Sequence, residues 1–404
     1  MASPTGAGKS WDAIVIGARC AGAATALLLA RHGHRVLLVD RGSFPSDTMS
    51  TLYIHQPGLS LLRQWGLLDA ITASKCPTID SISYRVEDVL LNGPLPAVDG
   101  IKFACAPRRN ILDQIMITAA VGAGVEFAEQ TTLSTLLSED ERVVGVRLRT
   151  KYHSDLTERA KLVVGADGMR SKVAGLLGVP FSTEDPRATC IYYTGWTGLS
   201  CGFTMREQPG SWIATVPTHD GVTLVLTYFP QHRFPEIRTG PLESQLAAIR
   251  QQAPDLSDEL VGADQVMGIR GTGDQPNFFR KAFGSGWVLV GDAGHHLDSI
   301  TARGITNAFI QAQILSEEIG AKLDDDAQLQ SALSRFASRR DEALIDGYVS
   351  TLETSKLQVP SSRLEMLRAI SGVPAFTEKY FSLMAVMMSM DDFLTPELIE
   401  LLFG

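Results

Sequence analysis

The feature that most constrains the fold lies near the N-terminus, where two short apolar runs flank a helix-forming segment. Residues 12–16 form an apolar run that is typical of a buried parallel strand and that ends at a glycine. Residues 21–32 are rich in Ala and Leu and contain no Pro, which predicts a helix. Residues 36–39 predict a second buried strand. Together these segments predict a βαβ unit of about 30 residues.

The turn between the first strand and the helix carries a glycine pattern that favours phosphate binding. Gly17 and Gly22 occupy the first and third glycine positions of G-x-G-x-x-G, whereas Arg19 takes the second. The helix N-terminus attracts a pyrophosphate, and Arg19 adds a positive charge beside it while blocking the closest backbone approach. Asp40 ends the second strand, where a carboxylate can bind ribose hydroxyls. The pattern predicts dinucleotide binding without choosing between NAD and FAD, and an ordinary glycine-containing turn is the alternative.

A second glycine-rich stretch, residues 6–10 (GAGKS), is similar to the end of a phosphate-binding P-loop. Ser3 stands where that motif needs its first glycine, and no strand precedes it. We therefore predict a disordered N-terminal tail here rather than a nucleotide site.

The composition is typical of a globular enzyme with more than one domain, since 45% of the 404 residues are hydrophobic and 20% are charged. A net charge of -9 argues against a nucleic-acid partner. The five cysteines form no CxxC pair and no zinc-ligand spacing, so we expect no metal site and reduced thiols in a cytoplasm. The N-terminus lacks the features of a signal peptide, and no long apolar run predicts a membrane span.

Three further motifs identify the dinucleotide. Residues 162–171 (LVVGADGMRS) resemble the "DG" motif of the class A, para-hydroxybenzoate hydroxylase-like family of FAD-dependent flavoprotein monooxygenases. Residues 287–295 (WVLVGDAGH) resemble that family's "GD" motif, and residues 109–113 (RNILD) resemble its R-x-x-[LF]-D segment. With the first fingerprint, four motifs occur in the family's order over roughly residues 10–320. The resemblance implies that the cofactor is FAD.

The order of predicted elements indicates a mixed α/β fold. A Rossmann-type FAD-binding domain is built from separated segments, an antiparallel β-sheet substrate domain is inserted between them, and a helical tail follows. The predicted boundaries are residues 10–75, 105–180 and 281–330 for the FAD-binding domain, 76–104 and 181–280 for the β-rich domain, and 331–404 for the C-terminal helices.

The resemblance also implies cofactor contacts for residues in the motifs. Asp292 ends a strand and can bind the ribityl hydroxyls, and Arg109 can reach the ribityl or pyrophosphate region. The helix opened by Gly304 can face the flavin N1 and C2 carbonyl, where negative charge collects on reduction. In the family, the aspartate at the position of Asp167 serves FAD and pyridine-nucleotide handling. The alternative is that Asp167 only binds the N–H groups of its own turn. The predicted cofactor-binding residues are Gly17, Arg19, Ala21, Gly22, Asp40, Arg41, Arg109, Leu133, Asp167, Gly291, Asp292, Gly304 and Ile305.

Two loops are expected near the flavin. His55 precedes one predicted helix and His296 begins the stretch that leads to Gly304; each is a candidate proton donor or substrate anchor, or else satisfies backbone groups. Relatives commonly carry Pro in the second loop, where this chain has Asp298 and Ser299, so the resemblance leaves the rigidity of this loop and its exact flavin contacts open.

The substrate site is expected in the β-rich region. Tyr193, Trp212 and Tyr228 fall on predicted strands, where they either line an apolar pocket or pack the sheet. Residues 384–390, rich in Met, either cover the mouth of that pocket or pack within helices or between subunits.

The family's chemistry belongs to the cofactor. NAD(P)H reduces FAD transiently, O2 adds to give a C4a-hydroperoxide, and one oxygen atom passes to the substrate. The resemblance thus implies a cytoplasmic monooxygenase of secondary metabolism that acts on a small aromatic or polyketide-like molecule. Reduction occurs either on this chain or through a separate flavin reductase. The protein is expected to be a monomer or homodimer with no nucleic-acid or membrane partner.

Three alternatives remain open. The first is an FAD-dependent reductase or dehydrogenase without oxygen insertion, similar to prenyl-chain reductases. Its Y-x-W-x-F-P signature is not present as such, and residues 212–217 are only loosely similar to it. The second is a flavin halogenase, whose W-x-W-x-I-P signature does not match residues 195–198. The third is a non-enzymatic FAD-binding protein.

Overall fold

The computed structural model describes residues 10–153, 155–321, 323 and 325–403, and the GAGKS stretch lies outside them except for Ser10. The first strands are β1 (Ser10–Ile16), β2 (Val36–Val39), β3 (Thr78–Ile79), β4 (Ser81–Val86), β5 (Val89–Pro94), β6 (Ala104–Cys105), β7 (Glu126–Ala128), β8 (Thr132–Glu139), β9 (Arg142–Arg149) and β10 (Leu156–Gly165). The later strands are β11 (Phe181–Asp185), β12 (Thr189–Thr197), β13 (Thr204–Gln208), β14 (Ser211–Pro217), β15 (Val222–Pro230), β16 (Asp264–Thr272), β17 (Asn277–Arg280), β18 (Phe283–Gly284), β19 (Trp287–Leu289) and β20 (His295–His296).

The helices follow the same chain order. They are α1 (Cys20–Arg31), α2 (Gln56–Gln64), α3 (Leu68–Ala73), α4 (Arg109–Gly122), α5 (Lys172–Leu177), α6 (Phe234–Ile237), α7 (Pro241–Gln252), α8 (Pro254–Val261), α9 (Gly304–Ile319), α10 (Asp326–Ser355), α11 (Ser361–Ser371), α12 (Pro374–Met384), α13 (Met390–Phe393) and α14 (Pro396–Phe403). Four short 3-10 turns lie at His219–Gly221, Gln231–Arg233, Gly291–Ala293 and Ser299–Thr301.

A parallel sheet forms the first layer, as the βαβ pattern predicts. Its strand order is β18-β19-β10-β1-β2-β7, and the pairs from β7 to β19 are parallel. The β8–β9 hairpin extends the sheet through an antiparallel pair with β10. Helices α1, α4 and α9 bury their apolar faces together with this sheet. Because β1, β10 and β19 are neighbours, the three glycine motifs that follow these strands lie at one edge of the sheet.

A second sheet stands beside the first, with strand order β16-β12-β15-β14-β13-β4-β5. Its pairs are antiparallel except for β13 and β4, which are parallel. The remaining described strands form the sheets β11-β17-β20 and β3-β6. The predicted mixed α/β fold is confirmed, whereas the domain boundaries stay predictions.

Helices α7 and α8 lie within the region predicted as β-rich, residues 181–280. They pack Ile249 and Leu256 against the second sheet. Both begin with Pro, which fits a first helical turn. Nearer the N-terminus, Gly66 has a φ of 71° and separates α2 from α3.

The C-terminal helices cover the face of the second sheet that lies towards α9. Leu364, Leu367 and Ile370 of α11 and Tyr380 and Phe381 of α12 join the apolar cluster of that face. The helices and the sheet thus enclose space between them. Among the described residues, no helix is both long and apolar enough to cross a membrane.

Candidate functional site

The turn after β1 is shaped by glycines whose positions tolerate no side chain. Gly17 has a φ of 102°, and a Cβ there would lie 2.4 Å from the Ala166 carbonyl oxygen. A Cβ on Gly22 would lie 1.7 Å from the Gly17 carbonyl oxygen. The strand, the turn and α1 are therefore packed too closely for any residue but glycine, as the fingerprint predicts.

Asp40 holds this turn from the end of β2. Its carboxylate accepts hydrogen bonds from the backbone N–H groups of Ala18 and Gly42, each at 2.7 Å. The acid is half-buried, and each of its oxygens keeps a free lone pair for a ribose hydroxyl. Arg41, next in the chain, is exposed.

Two arginines share one carboxylate beside the start of α1. Arg19 binds Asp113 at 2.6 Å, and Arg109 binds the same carboxylate at 3.1 Å. Asp113 is fully buried and also accepts from the Cys20 thiol, whose pKa rises to about 12 on burial. Two guanidinium groups thus share one buried carboxylate beside the turn, and Arg19 stays partly exposed, where it can bind a pyrophosphate. The positive charge predicted for Arg19 is therefore present, and Asp113 pairs with it.

The loop after β19 meets this turn. Gly291 has a φ of 64°, and a Cβ there would lie 2.6 Å from the Ala21 Cβ, so the loop rests directly on α1. The half-buried carboxylate of Asp292 accepts no hydrogen bond from the described residues, although it lies near enough to Arg109 to raise the pKa of that guanidinium. Gly304 opens α9, and Ile305 is buried under it.

These residues fit FAD. The glycines leave no side chain over the start of α1, Arg19 and Arg109 offer guanidinium donors beside it, and Asp292 accepts no hydrogen bond from the described residues. Of the predicted cofactor residues, Arg19 and Arg109 share Asp113, Asp40 binds the turn at Ala18, and Gly291 rests on Ala21. Gly304 opens α9, and its contact with FAD stays a prediction.

Two predicted cofactor residues have other contacts. Asp167 accepts hydrogen bonds from the Ser171 hydroxyl and from the N–H groups of Lys172 and Val173, so its carboxylate caps the start of α5. These contacts match the turn role that the sequence left as an alternative. Leu133 packs its side chain in the core, and its carbonyl oxygen accepts a hydrogen bond from the Lys172 ammonium at 2.6 Å. Their roles toward FAD stay predictions.

The loop between β20 and α9 is held by hydrogen bonds where relatives have Pro. Asp298 is fully buried and accepts from the Thr189 hydroxyl at 2.7 Å and the Ile300 N–H at 3.1 Å. The Ser299 N–H and hydroxyl both donate to the Gln275 amide oxygen, and Tyr228 donates to the Ser299 carbonyl at 2.9 Å. Side chains of the second sheet thus fix this loop, which replaces the rigidity of a proline.

Burial raises the pKa of Asp298 to about 6, because the ionised carboxylate loses its hydration. The native pKa then exceeds the unfolded value of about 3.9, so the native state binds more protons between these values. We therefore expect the free energy of unfolding to fall as pH rises from about 4 to about 6.5, by at most about 3 kcal/mol. Urea unfolding of wild type and Asp298→Asn across this range measures the effect as the difference between the two proteins. A difference that does not change with pH would contradict this assignment.

His55 lies in the wall between this loop and the second sheet. Its Nε2–H donates to the Thr301 carbonyl at 3.0 Å, and its ring packs edge-on against Tyr53 with centroids 4.8 Å apart. Loss of hydration and the charge of Arg303 lower the pKa of His55 to about 3, so the ring is neutral. His296 instead donates from Nδ1 to the Pro276 carbonyl and does not line the cavity described next. Proton donation by either histidine stays a prediction.

A cavity of about 1110 Å³ opens beside His55 and runs between the second sheet and the C-terminal helices. This volume exceeds the usual range of about 300–1,000 Å³ for small-molecule sites. Its inner end is formed by His55, Gln56, Thr301 and Ala302, directly before α9. The walls are mainly apolar and include Tyr53, Phe203, Trp212, Leu226, Tyr228 and Phe381.

Strand β14 forms one wall through alternate residues. Trp212, Ala214 and Val216 all line the cavity, and Ala214 leaves the wall open between its larger neighbours. Tyr228 lines it from β15, whereas Tyr193 packs in the adjoining apolar cluster without lining it. Sequence reasoning named Trp212 and Tyr228 but missed Ala214.

The methionine-rich segment contributes to the lining of the cavity. Met384, Met388 and Met390 line it, and Met384 and Met388 also pack against the apolar core cluster, so the roles of this segment as pocket cover or helix core both stay predictions. A buried polar cluster fastens these helices to the sheet. Arg363 of α11 binds both carboxylate oxygens of Glu207, at 2.7 and 2.8 Å, and also contacts the Tyr84 hydroxyl.

Comparison of this chain with known proteins also indicates FAD binding. A family model described as "FAD binding domain" matches residues 10–344. A digeranylgeranylglycerophospholipid reductase of Methanocella arvoryzae is 27% identical over 357 residues, which cover 83% of this chain and 84% of the reductase.

Two solved structures share the fold. The myxobacterial chondrochloren halogenase CndH superposes with a TM-score of 0.76 at 21% identity, covering 98% of this chain and 96% of that one. The probable FAD-dependent monooxygenase pqsL of Pseudomonas aeruginosa superposes with a TM-score of 0.73 at 19% identity, covering 93% and 99%.

Proposed function

Because the chain belongs to the FAD binding domain family and is an FAD-dependent oxidoreductase, we propose that it is a monooxygenase acting on a bulky apolar molecule. The observation that carries the proposal is the cavity of about 1110 Å³, which begins at the loop before α9 and is walled by aromatic, aliphatic and methionine side chains. Such a site admits an aromatic or polyketide-like substrate.

The overall reaction we propose uses one O2 and one NAD(P)H for each substrate. One oxygen atom enters a C–H bond of the substrate as a hydroxyl group, and the other leaves as water. NAD(P)H loses a hydride and becomes NAD(P)+, and one further proton is taken up. When bound, FAD supplies the redox chemistry, accepting the hydride equivalent and delivering electrons to oxygen.

The chain's own residues bind and orient. Asp40, Asp292 and the guanidinium groups of Arg19 and Arg109 hold the cofactor. Neutral His55 donates a hydrogen bond to the Thr301 carbonyl and so holds that residue. The hydrogen bonds of Asp298 hold the rest of the loop before α9 in place. Trp212, Tyr228 and Phe203 present flat apolar surfaces that orient a large substrate. No described residue of the cavity wall is needed as a nucleophile for this chemistry.

The sequence of strand β14 differs from the signatures of the halogenase and prenyl-reductase alternatives. In W-x-W-x-I-P and Y-x-W-x-F-P a tryptophan stands three residues before the proline. Counting back from Pro217, Ala214 takes that place here. Because Ala214 lines the cavity, the difference changes the substrate wall itself. The reductase reaction is the second candidate, because the Methanocella arvoryzae reductase aligns with this chain over most of the length of both proteins.

Labelled oxygen separates the two candidates. Purified protein with FAD, NADPH or NADH and ¹⁸O2 is screened against apolar aromatic, polyketide and isoprenoid compounds, and products are analysed by mass spectrometry. Oxygenation predicts a product that carries one ¹⁸O atom, formed in step with NAD(P)H oxidation. A reduced product without label, formed equally well without oxygen, would replace the proposal by the reductase. A parallel reaction with a flavin reductase added tests whether the electrons come through a separate protein.

A further inference from the structure

The inner end of the cavity carries a buried amide group that has no partner in the protein. Gln56 opens α2, is 1% exposed and lines the cavity, yet its Nε2 atom makes no hydrogen bond with the described residues. A buried donor without an acceptor is costly, and native proteins leave few of them. The Gln56 amide is therefore available to an acceptor atom of a bound molecule.

The neighbouring residue offers the complementary group. The Nε2 atom of His55 carries a proton, because it binds the Thr301 carbonyl oxygen, which can only accept. The ring is neutral, since burial lowers the pKa of His55 to about 3, and Nδ1 therefore holds a lone pair. No described residue donates a hydrogen bond to Nδ1, and the ring lines the cavity. His55 is thus an acceptor beside the Gln56 donor.

The other polar side chain of this end, Thr301, already has its hydroxyl engaged. The hydroxyl groups of Thr301 and Thr351 lie 2.7 Å apart, and Thr351 donates its proton to the Gly347 carbonyl oxygen. The Thr301 hydroxyl therefore donates to Thr351. Ala302 completes this end with a methyl group, and the walls beyond it are mainly apolar. A molecule with one polar end would therefore bind in one orientation.

The two cations that line the cavity have partners within the chain. Arg363 binds both carboxylate oxygens of Glu207, and Lys356 binds Glu353 at 2.6 Å. Both positive charges are thus already paired with a carboxylate. A neutral molecule suits this cavity better than an anion, because an anion would lose its hydration against mainly apolar walls.

We propose that Gln56 and His55 select substrates that carry a neutral group able both to accept and to donate a hydrogen bond, such as an aromatic hydroxyl or a ring amide. The oxygen of that group accepts from the Gln56 amide, and its O–H or N–H donates to Nδ1 of His55. The apolar remainder of the substrate then lies along the aromatic walls of the cavity. The inference rests on the proposed binding of an apolar substrate in this cavity.

Binding of matched ligands to the FAD-loaded protein tests this without any turnover. At pH 7, 2-naphthol can donate and accept, 2-methoxynaphthalene can only accept, and naphthalene can do neither. A fourth ligand, 2-quinolinone, donates and accepts through separate atoms of a ring amide. Titration calorimetry gives each dissociation constant. Wild type should bind 2-naphthol or 2-quinolinone about tenfold more tightly than 2-methoxynaphthalene. The tighter of these two ligands shows whether one atom or two atoms make the contacts.

Two variants separate the donor from the acceptor. Gln56→Leu should weaken binding of the tighter ligand about tenfold relative to naphthalene. His55→Phe should weaken it about tenfold relative to 2-methoxynaphthalene, because that ether has no proton to donate. Gln358→Leu is the control, since Gln358 lines the same cavity but is exposed, and both ratios should stay unchanged there. Flavin content and thermal unfolding are measured for each protein.

Equal affinities of wild type for all four ligands would overturn the inference, even if no variant folds. Unchanged ratios in a folded Gln56→Leu protein would also overturn it, and a lower FAD content in that protein would assign the amide to the cofactor instead. If none of the four ligands binds, the proposed substrate site fails and the inference fails with it. A preference that is lost in both variants and kept in Gln358→Leu supports the inference, whether the enzyme oxygenates or reduces its substrate.

Discussion

Asp292→Ala should give a colourless protein that no longer holds FAD after purification. The Asp292 carboxylate is half-buried, has no hydrogen-bond partner among the described residues, and sits in a loop whose preceding glycine rests on α1. If it binds two ribityl hydroxyls, its loss removes two charge-assisted hydrogen bonds of about 1.5–3 kcal/mol each. The sum corresponds to an increase of about 10²–10⁴ in the dissociation constant for FAD.

Equilibrium dialysis of apoprotein with FAD, followed by flavin fluorescence, measures this effect. Asp88→Ala serves as a matched control, because Asp88 is an exposed acid whose ion pair with Arg368 lies on the second sheet. Asp292→Asn should lie between wild type and Asp292→Ala, since an amide still accepts one hydrogen bond but carries no charge. Stoichiometric FAD in Asp292→Ala would refute the role given to this residue.

Ala214→Trp should close the cavity while leaving FAD in place. The Ala214 side chain lines the cavity between Trp212 and Val216, so a tryptophan there extends into open space rather than into packed core. We expect affinity for the uncharged apolar dye Nile red to fall by about tenfold or more, because the dye loses much of its apolar contact area. Turnover of any bulky substrate found in the labelling screen should fall with it.

The FAD content and the slow NAD(P)H oxidation without substrate should stay at wild-type levels in Ala214→Trp. Ala214→Ser is the control, because it changes polarity but adds almost no volume. Thermal unfolding checks that the larger side chain is tolerated, since overpacking would cost about 1–3 kcal/mol. Unchanged dye binding and turnover in a folded Ala214→Trp protein would show that the substrate does not use this cavity.

The nucleotide-binding half could be read from the sequence because its signals are local. A buried strand, a glycine turn and a helix follow one another directly at Gly17 and Gly22, and each glycine is required by contacts a few ångströms away. The Asp167 and Asp292 motifs repeat that pattern after two further strands. Parallel pairing then brings all three to one edge, which is why the ordered motifs predicted a discontinuous domain.

The substrate side depends on contacts between distant segments, and the sequence carries little signal for them. Ala214 matters because Tyr53, Phe381 and Met384, from distant parts of the chain, line the same cavity. The buried Arg303 pairs with no carboxylate among the described residues, a feature that no local pattern reveals. The sequence showed that Asp298 and Ser299 stand where relatives have proline. It did not show that hydrogen bonds with the distant residues Thr189 and Gln275 hold the loop instead.

The most direct test of the account is the flavin content of the purified protein. We predict an oxidised-flavin absorbance spectrum and release of about one FAD per chain on denaturation, with FMN absent, because the groove binds both the ribityl chain and the adenosine ribose. The spectrum should shift when Nile red or another apolar ligand enters the cavity beside Thr301 and Ala302. A folded protein that stays colourless after incubation with excess FAD would contradict the account.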